Sequence, residues 1–265
     1  MYKVVFLDLD DTLLDNEKNI SEENKEAIKY VQDKGGLVCI ASGRAIEATK
    51  KYHNIANASR YIIYSNGAGI FDCDANEKLF SADIEKEICF YLYNYSIENN
   101  IGIRFDTPYG RYISDKKFEV NLDMIFEPNE VNKIIEENDV LQMSFVSENE
   151  EKVKEAMQFI KQNIPDILKV EDIFKTGCDD KFFAISAINV NVSKGNAING
   201  LCKSLNIDTK DVIAIGNGIN DISMIKAAGL GVAMENSLEE VKLIADKVTT
   251  TNIENGVAKI LRENF

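Results

Sequence analysis

The chain has 265 residues, 45% of them apolar, and a formal charge of −14, which suits two domains of about 100–150 residues with real cores. So acidic a balance argues against nucleic acid or an anionic membrane surface as a partner, since both require a basic face. No run of about 18 apolar residues is present, and the amino terminus enters a strand with no charged-then-apolar leader; a cytoplasmic protein is expected. Five cysteines (Cys39, Cys73, Cys89, Cys178, Cys202) are scattered without Cys-x-x-Cys spacing, so buried thiols are expected rather than a disulfide framework or zinc site. His53 is the single histidine and sits in a polar stretch, which leaves general acid-base work to carboxylates.

In chain order, the apolar run Val4 to Leu7 predicts a buried parallel strand. Ser21 opens a helix that ends at Lys34 before Gly35-Gly36. Leu37 to Ala41 and Tyr61 to Tyr64 are further short apolar runs, each ending in small polar residues, and this alternation implies a parallel sheet. The middle reads differently. Asp83 to Asn99 is predicted helical, then Gly102–Asp106, Tyr109–Ile113, Leu141–Ser147, Leu168–Ile173 and Lys181–Ala187 are strand-like, with a helix at Glu150–Asn163. The alternating pattern returns with a helix at Lys194–Leu205, a strand at Val212–Ile215, a helix at Ile222–Ala227 and an extended Gly231–Met234. The expected organisation is a Rossmann-like α/β core from residues 1–83 and 188–265, with an α+β domain, 84–187, inserted in its middle.

In open parallel sheets the ligand crevice lies beyond the carboxyl ends of the strands, and the unusual polar residues fall there. The first strand delivers Asp8 and Asp10, which project to one side; at an effective dielectric of about 20 they repel by roughly 4 kcal/mol at 4 Å. Either a cation sits between them or one keeps a proton, unless one merely caps a following turn. The second strand delivers Ser42, with backbone N–H groups at a helix start, and the last delivers Gly216-Asn217-Gly218-Ile219-Asn220-Asp221. Lys194 opens the helix after the inserted domain. A hydroxyl and helix amino-terminal amides suit phosphate oxygens, a lysine offsets charge, and carboxylates with amide oxygens suit magnesium; phosphoryl transfer needs little more.

With these motifs, the chain resembles the haloacid dehalogenase superfamily of phosphatases, specifically the Cof-type class IIB members. Four motifs occur in order, and Asn66-Gly67-Ala68, Val192-Ser193-Lys194-Gly195, Ala227-Ala228-Gly229 with Gly231-Val232-Ala233-Met234, and Asn255-Gly256-Val257-Ala258 add to them. The resemblance implies a Mg2+-dependent phosphatase of small phosphorylated metabolites, a sugar phosphate or phosphorylated cofactor, whose inserted domain is a substrate-selecting cap. Asp8 would attack phosphorus to form an aspartyl-phosphate. Asp10 would protonate the leaving oxygen, keeping its proton until then, and afterwards accept one from water. Ser42, Gly43 and Lys194 would bind the phosphoryl group. Asp8, Asp10 (through its carbonyl), Asn217, Asn220 and Asp221 would make the metal shell, Asp221 alternatively orienting Lys194. Thr12 would anchor the loop after the nucleophile.

Asn66, Arg44, Arg104 and Lys181 are candidate substrate contacts, whereas the basic residues Arg111, Lys116, Lys117 and Lys175 read most simply as a solvated surface. Family members usually carry Asp where this chain has Asn217, so weaker metal affinity is expected, with Asp221 supplying the missing charge. The Asn217-Gly218 pair is also prone to deamidation, which would regenerate a carboxylate. Two alternatives share the same residues: a phosphotransferase or phosphomutase using the Asp8 intermediate, and a weakly active phosphometabolite-binding sensor. A monomer or homodimer is expected.

Overall fold

The computed structural model describes residues 2–119, 124–170, 173–176 and 181–265. Cys178 lies outside them, as do Glu171 and Asp172 of the strand expected over Leu168–Ile173. The chain divides into two compact units, Met1–Phe80 with Val192–Phe265, and Ser81–Asn191.

The first unit begins with β1 (Val4–Leu7), α1 (Glu22–Asp33), β2 (Leu37–Ala41), α2 (Ile46–Ala56), β3 (Tyr61–Tyr64), β4 (Gly69–Asp72) and β5 (Glu77–Ser81). Strands β1 and β3 are buried along their whole length, which explains why their sequences are continuously apolar rather than alternating. Ser21 starts α1 by accepting a hydrogen bond from the Asn24 amide at 3.1 Å, an N-cap worth about 1 kcal/mol.

The second unit contains α3 (Lys86–Glu98), β6 (Gly102–Asp106), β7 (Arg111–Ile113), β8 (Met124–Ile125), α4 (Val131–Glu137), β9 (Gln142–Ser147), α5 (Glu150–Asn163), β10 (Leu168–Val170), β11 (Phe174–Thr176) and β12 (Phe182–Asn189). Among the described residues its sheet runs β10-β12-β9-β6-β7-β8, with β11 also on β12. Pairing is antiparallel except between β7 and β8. Alternate residues Ile103, Phe105, Met143, Phe145, Ile185 and Ala187 pack with Leu92, Ile135, Val153 and Ile160 of the helices. β9 starts at Gln142 rather than Leu141. β7 starts at Arg111 rather than Tyr109, because Thr107 and Gly110 close a turn through both their backbones and the Thr107 hydroxyl.

The first unit resumes with α6 (Lys194–Ser204), β13 (Val212–Gly216), α7 (Ile222–Ala227), β14 (Leu230–Ala233), α8 (Glu239–Ile244), β15 (Lys247–Val248) and α9 (Gly256–Asn264). Its sheet has the order β15-β14-β13-β1-β2-β3-β4-β5. Strands β15 through β3 are parallel, and β4 turns back against β3. Val4, Phe6, Cys39, Ile63 and Ala214 meet Ile198, Leu201 and Met224 of α6 and α7 on one face; full burial of each large side chain contributes about 1.5–3 kcal/mol. β1 sits in the middle of this sheet, so the segment after Leu7 emerges with a parallel strand on either side. Among the described residues no helix is long and apolar enough to cross a membrane.

Cys39, Cys73, Cys89 and Cys202 are free thiols, and burial pushes Cys39 up to about 12. His53 is buried, its Nε2 3.1 Å from the Ser59 carbonyl oxygen, a structural position at the end of α2.

Candidate active site

Asp8 follows β1 with an extended backbone, its amide donating to the Ile215 carbonyl at 3.0 Å as if the strand continued. The chain then turns sharply at Asp11, which adopts a left-handed conformation (φ 57°). That turn separates the surroundings of Asp8 and Asp10: Asp8 is buried, whereas the Asp10 side chain is 42% exposed.

The ammonium of Lys194 lies 2.5 Å from Asp8 Oδ1 and 2.6 Å from Asp221 Oδ1, and Lys194 is fully buried. Burial opposes its charge, but the two carboxylates outweigh that and raise its pKa. Burial pushes Asp8 up to about 7, Lys194 pulls against that rise, and Asp221 adds to it. Lys194 is placed by tight backbone packing. Gly67 holds φ at +96°, and a Cβ there would lie 2.2 Å from the Ser193 carbonyl oxygen. A Cβ on Gly195 would lie 2.3 Å from the Ser223 carbonyl oxygen, so α6 approaches α7 closely. Ser193 caps α6 by accepting from the Asn196 amide at 3.0 Å.

Asp10 has a different set of partners. Arg44 donates to both of its oxygens, Nη2 to Oδ1 at 2.6 Å and Nε to Oδ2 at 2.8 Å, and Lys18 Nζ lies 3.0 Å from Oδ1. The Arg44 hydrogen bonds hold Asp10 down at about 2. Each aspartate thus has its own basic partners, Lys194 for Asp8 and Arg44 with Lys18 for Asp10, and in this arrangement those of Asp10 favour its ionised form. Lys18 was not legible as a site residue: it sits in a turn ordered by Asp15, whose Oδ1 accepts from the Glu17 and Asn19 amides, and no motif marks it.

Asp221 is fully buried, and its Oδ2 accepts the Asn217 and Gly218 amides, each at 2.9 Å. Of the two roles expected for it, the geometry realises orientation of Lys194 and of its own loop. Both Asp221 oxygens thus carry hydrogen bonds, Oδ1 from Lys194 and Oδ2 from its own loop. Asn217 Oδ1 accepts the Thr12 hydroxyl at 3.0 Å, joining the loop after β13 to the one after β1. Asn220 donates to Asn66 Oδ1 at 2.9 Å, and the same Asn66 oxygen would lie 2.8 Å from a Cβ on Gly43. Ser42 is buried and its Oγ accepts the Arg44 amide at 3.1 Å. Helix α2 begins only at Ile46, after Ala45, so Ser42 does not stand at a helix start; the loop before α2 separates them.

The structure thus brings together, within the first unit, Asp8 with Lys194 and Asp221, Asp10 with Arg44 and Lys18, Thr12 with Asn217, and Gly43 with Asn66 and Asn220. Arg104 and Lys181 belong to the second unit. Arg104 is buried on β6, with Nη2 3.3 Å from Ser144 Oγ and Nε 3.2 Å from Asp106 Oδ1; Lys181 is exposed just before β12. Lys116, Lys117 and Lys175 are also exposed.

A family model of haloacid dehalogenase-like hydrolases matches residues 5–261. The chain is 29% identical to 5-amino-6-(5-phospho-D-ribitylamino)uracil phosphatase YcsE of Bacillus subtilis, covering 98% of this chain and 94% of that protein. It is 31% identical to phosphatase YwpJ of the same organism, covering 98% and 99%. A solved haloacid dehalogenase-like hydrolase from Bacteroides thetaiotaomicron superimposes over 100% of both chains with a TM-score of 0.82 at 27% identity. The chain therefore belongs to the haloacid dehalogenase-like hydrolases and is a phosphatase of that family.

Proposed function

We propose that this phosphatase hydrolyses small phosphorylated metabolites through an aspartyl-phosphate on Asp8, with Mg2+ as its cofactor. The observation that carries the reading is the buried Asp8–Lys194–Asp221 group at the end of the central strand. Lys194 fixes Asp8 through Oδ1, which leaves the other oxygen to attack phosphorus, and its charge counters that of the transferring phosphoryl group. Asp221 orients Lys194 and pins the loop bearing Asn217. Ser42 and the Gly43 amide bind phosphoryl oxygens, with Asn66 and Asn220 beside them.

Asp10 shuttles the proton. Ionised against Arg44, it is in the form that accepts a proton from water in the second step. Transfer of Arg44 to the incoming phosphate returns Asp10 toward the ordinary carboxylate range, and the proton it takes from the attacking water in one turnover is the one it gives to the leaving oxygen in the next.

Phosphatases of this family generally use magnesium, and the oxygen-only donors fit a hard cation: the Asp8 carboxylate, the Asp10 carbonyl and the Asn217 amide oxygen would hold it. When bound it supplies positive charge that favours the ionised form of Asp8 and offsets phosphoryl charge. The relative named for a ribitylaminouracil monophosphate supports a small monophosphate substrate, and the inserted unit, with Arg104 and Lys181, is assigned the choice among such substrates.

The test is hydrolysis of an aryl phosphate across a magnesium titration. Metal-dependent activity in the native protein and its loss in Asp8→Asn are expected. Full activity in Asp8→Asn, or binding of phosphate without turnover at saturating magnesium, would overturn the proposal.

A further inference from the structure

The side chain of Asp10 is held by Arg44 and Lys18, and in the proposed cycle Arg44 leaves it for the incoming phosphate. At that moment its position has to come from the backbone. That backbone is the turn from Leu9 to Leu14, closed by the Leu14 amide on the Leu9 carbonyl at 2.9 Å, and inside it Asp11 takes the left-handed conformation. For a residue with a Cβ that conformation costs about 1–2 kcal/mol, and it persists where the surroundings over-determine it.

Those surroundings come from the far end of the chain. Asn236, in the segment after β14, donates its Nδ2 to the Asp11 carbonyl at 2.8 Å. Asn252, in the turn between β15 and α9, donates its Nδ2 to the Leu14 carbonyl at 2.9 Å. The two asparagines are also joined to each other, the Asn252 amide donating to Asn236 Oδ1 at 3.1 Å. Thr251, the neighbour of Asn252, is fixed in its turn, its amide and hydroxyl both donating to Glu254 Oε2. A backbone carbonyl accepts only from a donor, so neither a carboxylate nor an apolar side chain could take the place of these two amides. Asn252 is buried, whereas Asn236 is exposed; its ties are to the turn and to Asn252, not to the core.

Resting on the proposed phosphatase reading, we infer that Asn236 and Asn252 are positioning residues for proton transfer. Together they clamp the turn at Asp11 and Leu14 and so keep Asp10 aimed at the leaving oxygen once Arg44 has let go. Both act through the turn that carries Asp10, not on the phosphate.

The experiment compares kcat/KM for p-nitrophenyl phosphate, whose phenolate departs without a proton, with that for an alkyl phosphate turned over by the native protein, whose alkoxide needs one. The proteins are native, Asp10→Asn, Asn236→Ala, Asn236→Asp, and Asn236→Ala combined with Asp10→Asn. Asn236→Asp keeps the oxygen that the Asn252 amide uses and removes only the donor to Asp11. Expected in each Asn236 single variant is a loss of about tenfold or more on the alkyl phosphate against about threefold or less on the aryl one. In the Asp10→Asn background Asn236→Ala should add no further discrimination. A purely structural role would lower both substrates alike. An unchanged alkyl-to-aryl ratio in both Asn236 variants, or discrimination that persists undiminished in the Asp10→Asn background, would overturn the inference and leave the phosphatase reading standing. Asp10→Asn that hydrolyses both substrates as the native protein does would overturn the assignment of Asp10 as proton shuttle, and the inference with it.

Discussion

Replacing Lys194 with methionine keeps much of the aliphatic stem but removes the cation between two buried carboxylates. The Asp8 and Asp221 oxygens lie 2.5 and 2.6 Å from the Lys194 nitrogen, so they are at most about 5 Å apart and repel by about 3 kcal/mol at an effective dielectric of 20. Protonation limits the damage. Asp8, already pushed up to about 7 by burial, takes a proton readily once Lys194 is gone, which keeps the loss toward the low end of the roughly 3–5 kcal/mol seen when one partner of a buried pair is removed. The expected loss for Lys194→Met at pH 7 is therefore about 3–4 kcal/mol, read by urea unfolding as a lower midpoint at constant slope. Because native Asp8, at about 7, takes up the same proton below neutrality, the loss should level off there and widen on moving above neutrality, and adding Asp221→Asn should restore at least half of it. A loss below about 1 kcal/mol, or no recovery on adding Asp221→Asn, would refute the claim that the three groups act as one electrostatic unit.

Three further outcomes follow from the same geometry. Because the folded pKa of Asp10 is depressed from 3.8 to about 2 by Arg44, the pair's stabilisation is fully present above 3.8 and is lost as pH falls toward 2. The stability gap between native protein and Arg44→Met should therefore be constant near neutrality and close progressively as acid is added, and urea midpoints across that range measure it. Gly67→Ala forces a Cβ to within 2.2 Å of the Ser193 carbonyl at a φ of +96°; a loss of about 1–3 kcal/mol should accompany a fall in kcat, since the clash displaces the start of α6 and Lys194 with it. Finally, the Gly218 nitrogen that would attack Asn217 in deamidation donates its proton to Asp221, while Thr12 engages the amide oxygen. Peptide mass analysis should find Asn217 intact in native protein after long incubation and deamidated faster in Asp221→Ala.

The sequence was most legible where short apolar runs end in charged or small residues. Val4–Leu7, Leu37–Ala41, Tyr61–Tyr64 and Gly102–Asp106 form strands with those bounds, and Glu150–Asn163 and Ile222–Ala227 form helices with those bounds. Helices α4, α8 and α9 were not anticipated. α4 has seven residues and α8 six, with one to three buried apolar positions each, and α9 carries its buried Val257, Ile260 and Leu261 at helical spacing behind the left-handed Asn255. At the site, spacing identified which polar residues leave the strand ends, because strand geometry is local. It did not reveal which acid meets which base. That depends on pairings such as Lys194 with Asp8, 186 positions apart, and on the turn at Asp11 that sends Asp10 toward Arg44 and Lys18.

The most direct measurement is acid quenching of the native protein during turnover of a phosphomonoester in magnesium, followed by peptide mass mapping. A phosphoryl group on the peptide containing Asp8, absent in Asp8→Asn, is the expected result. Hydrolysis that persists in Asp8→Asn with no phosphorylated peptide would contradict the assignment of Asp8 as nucleophile.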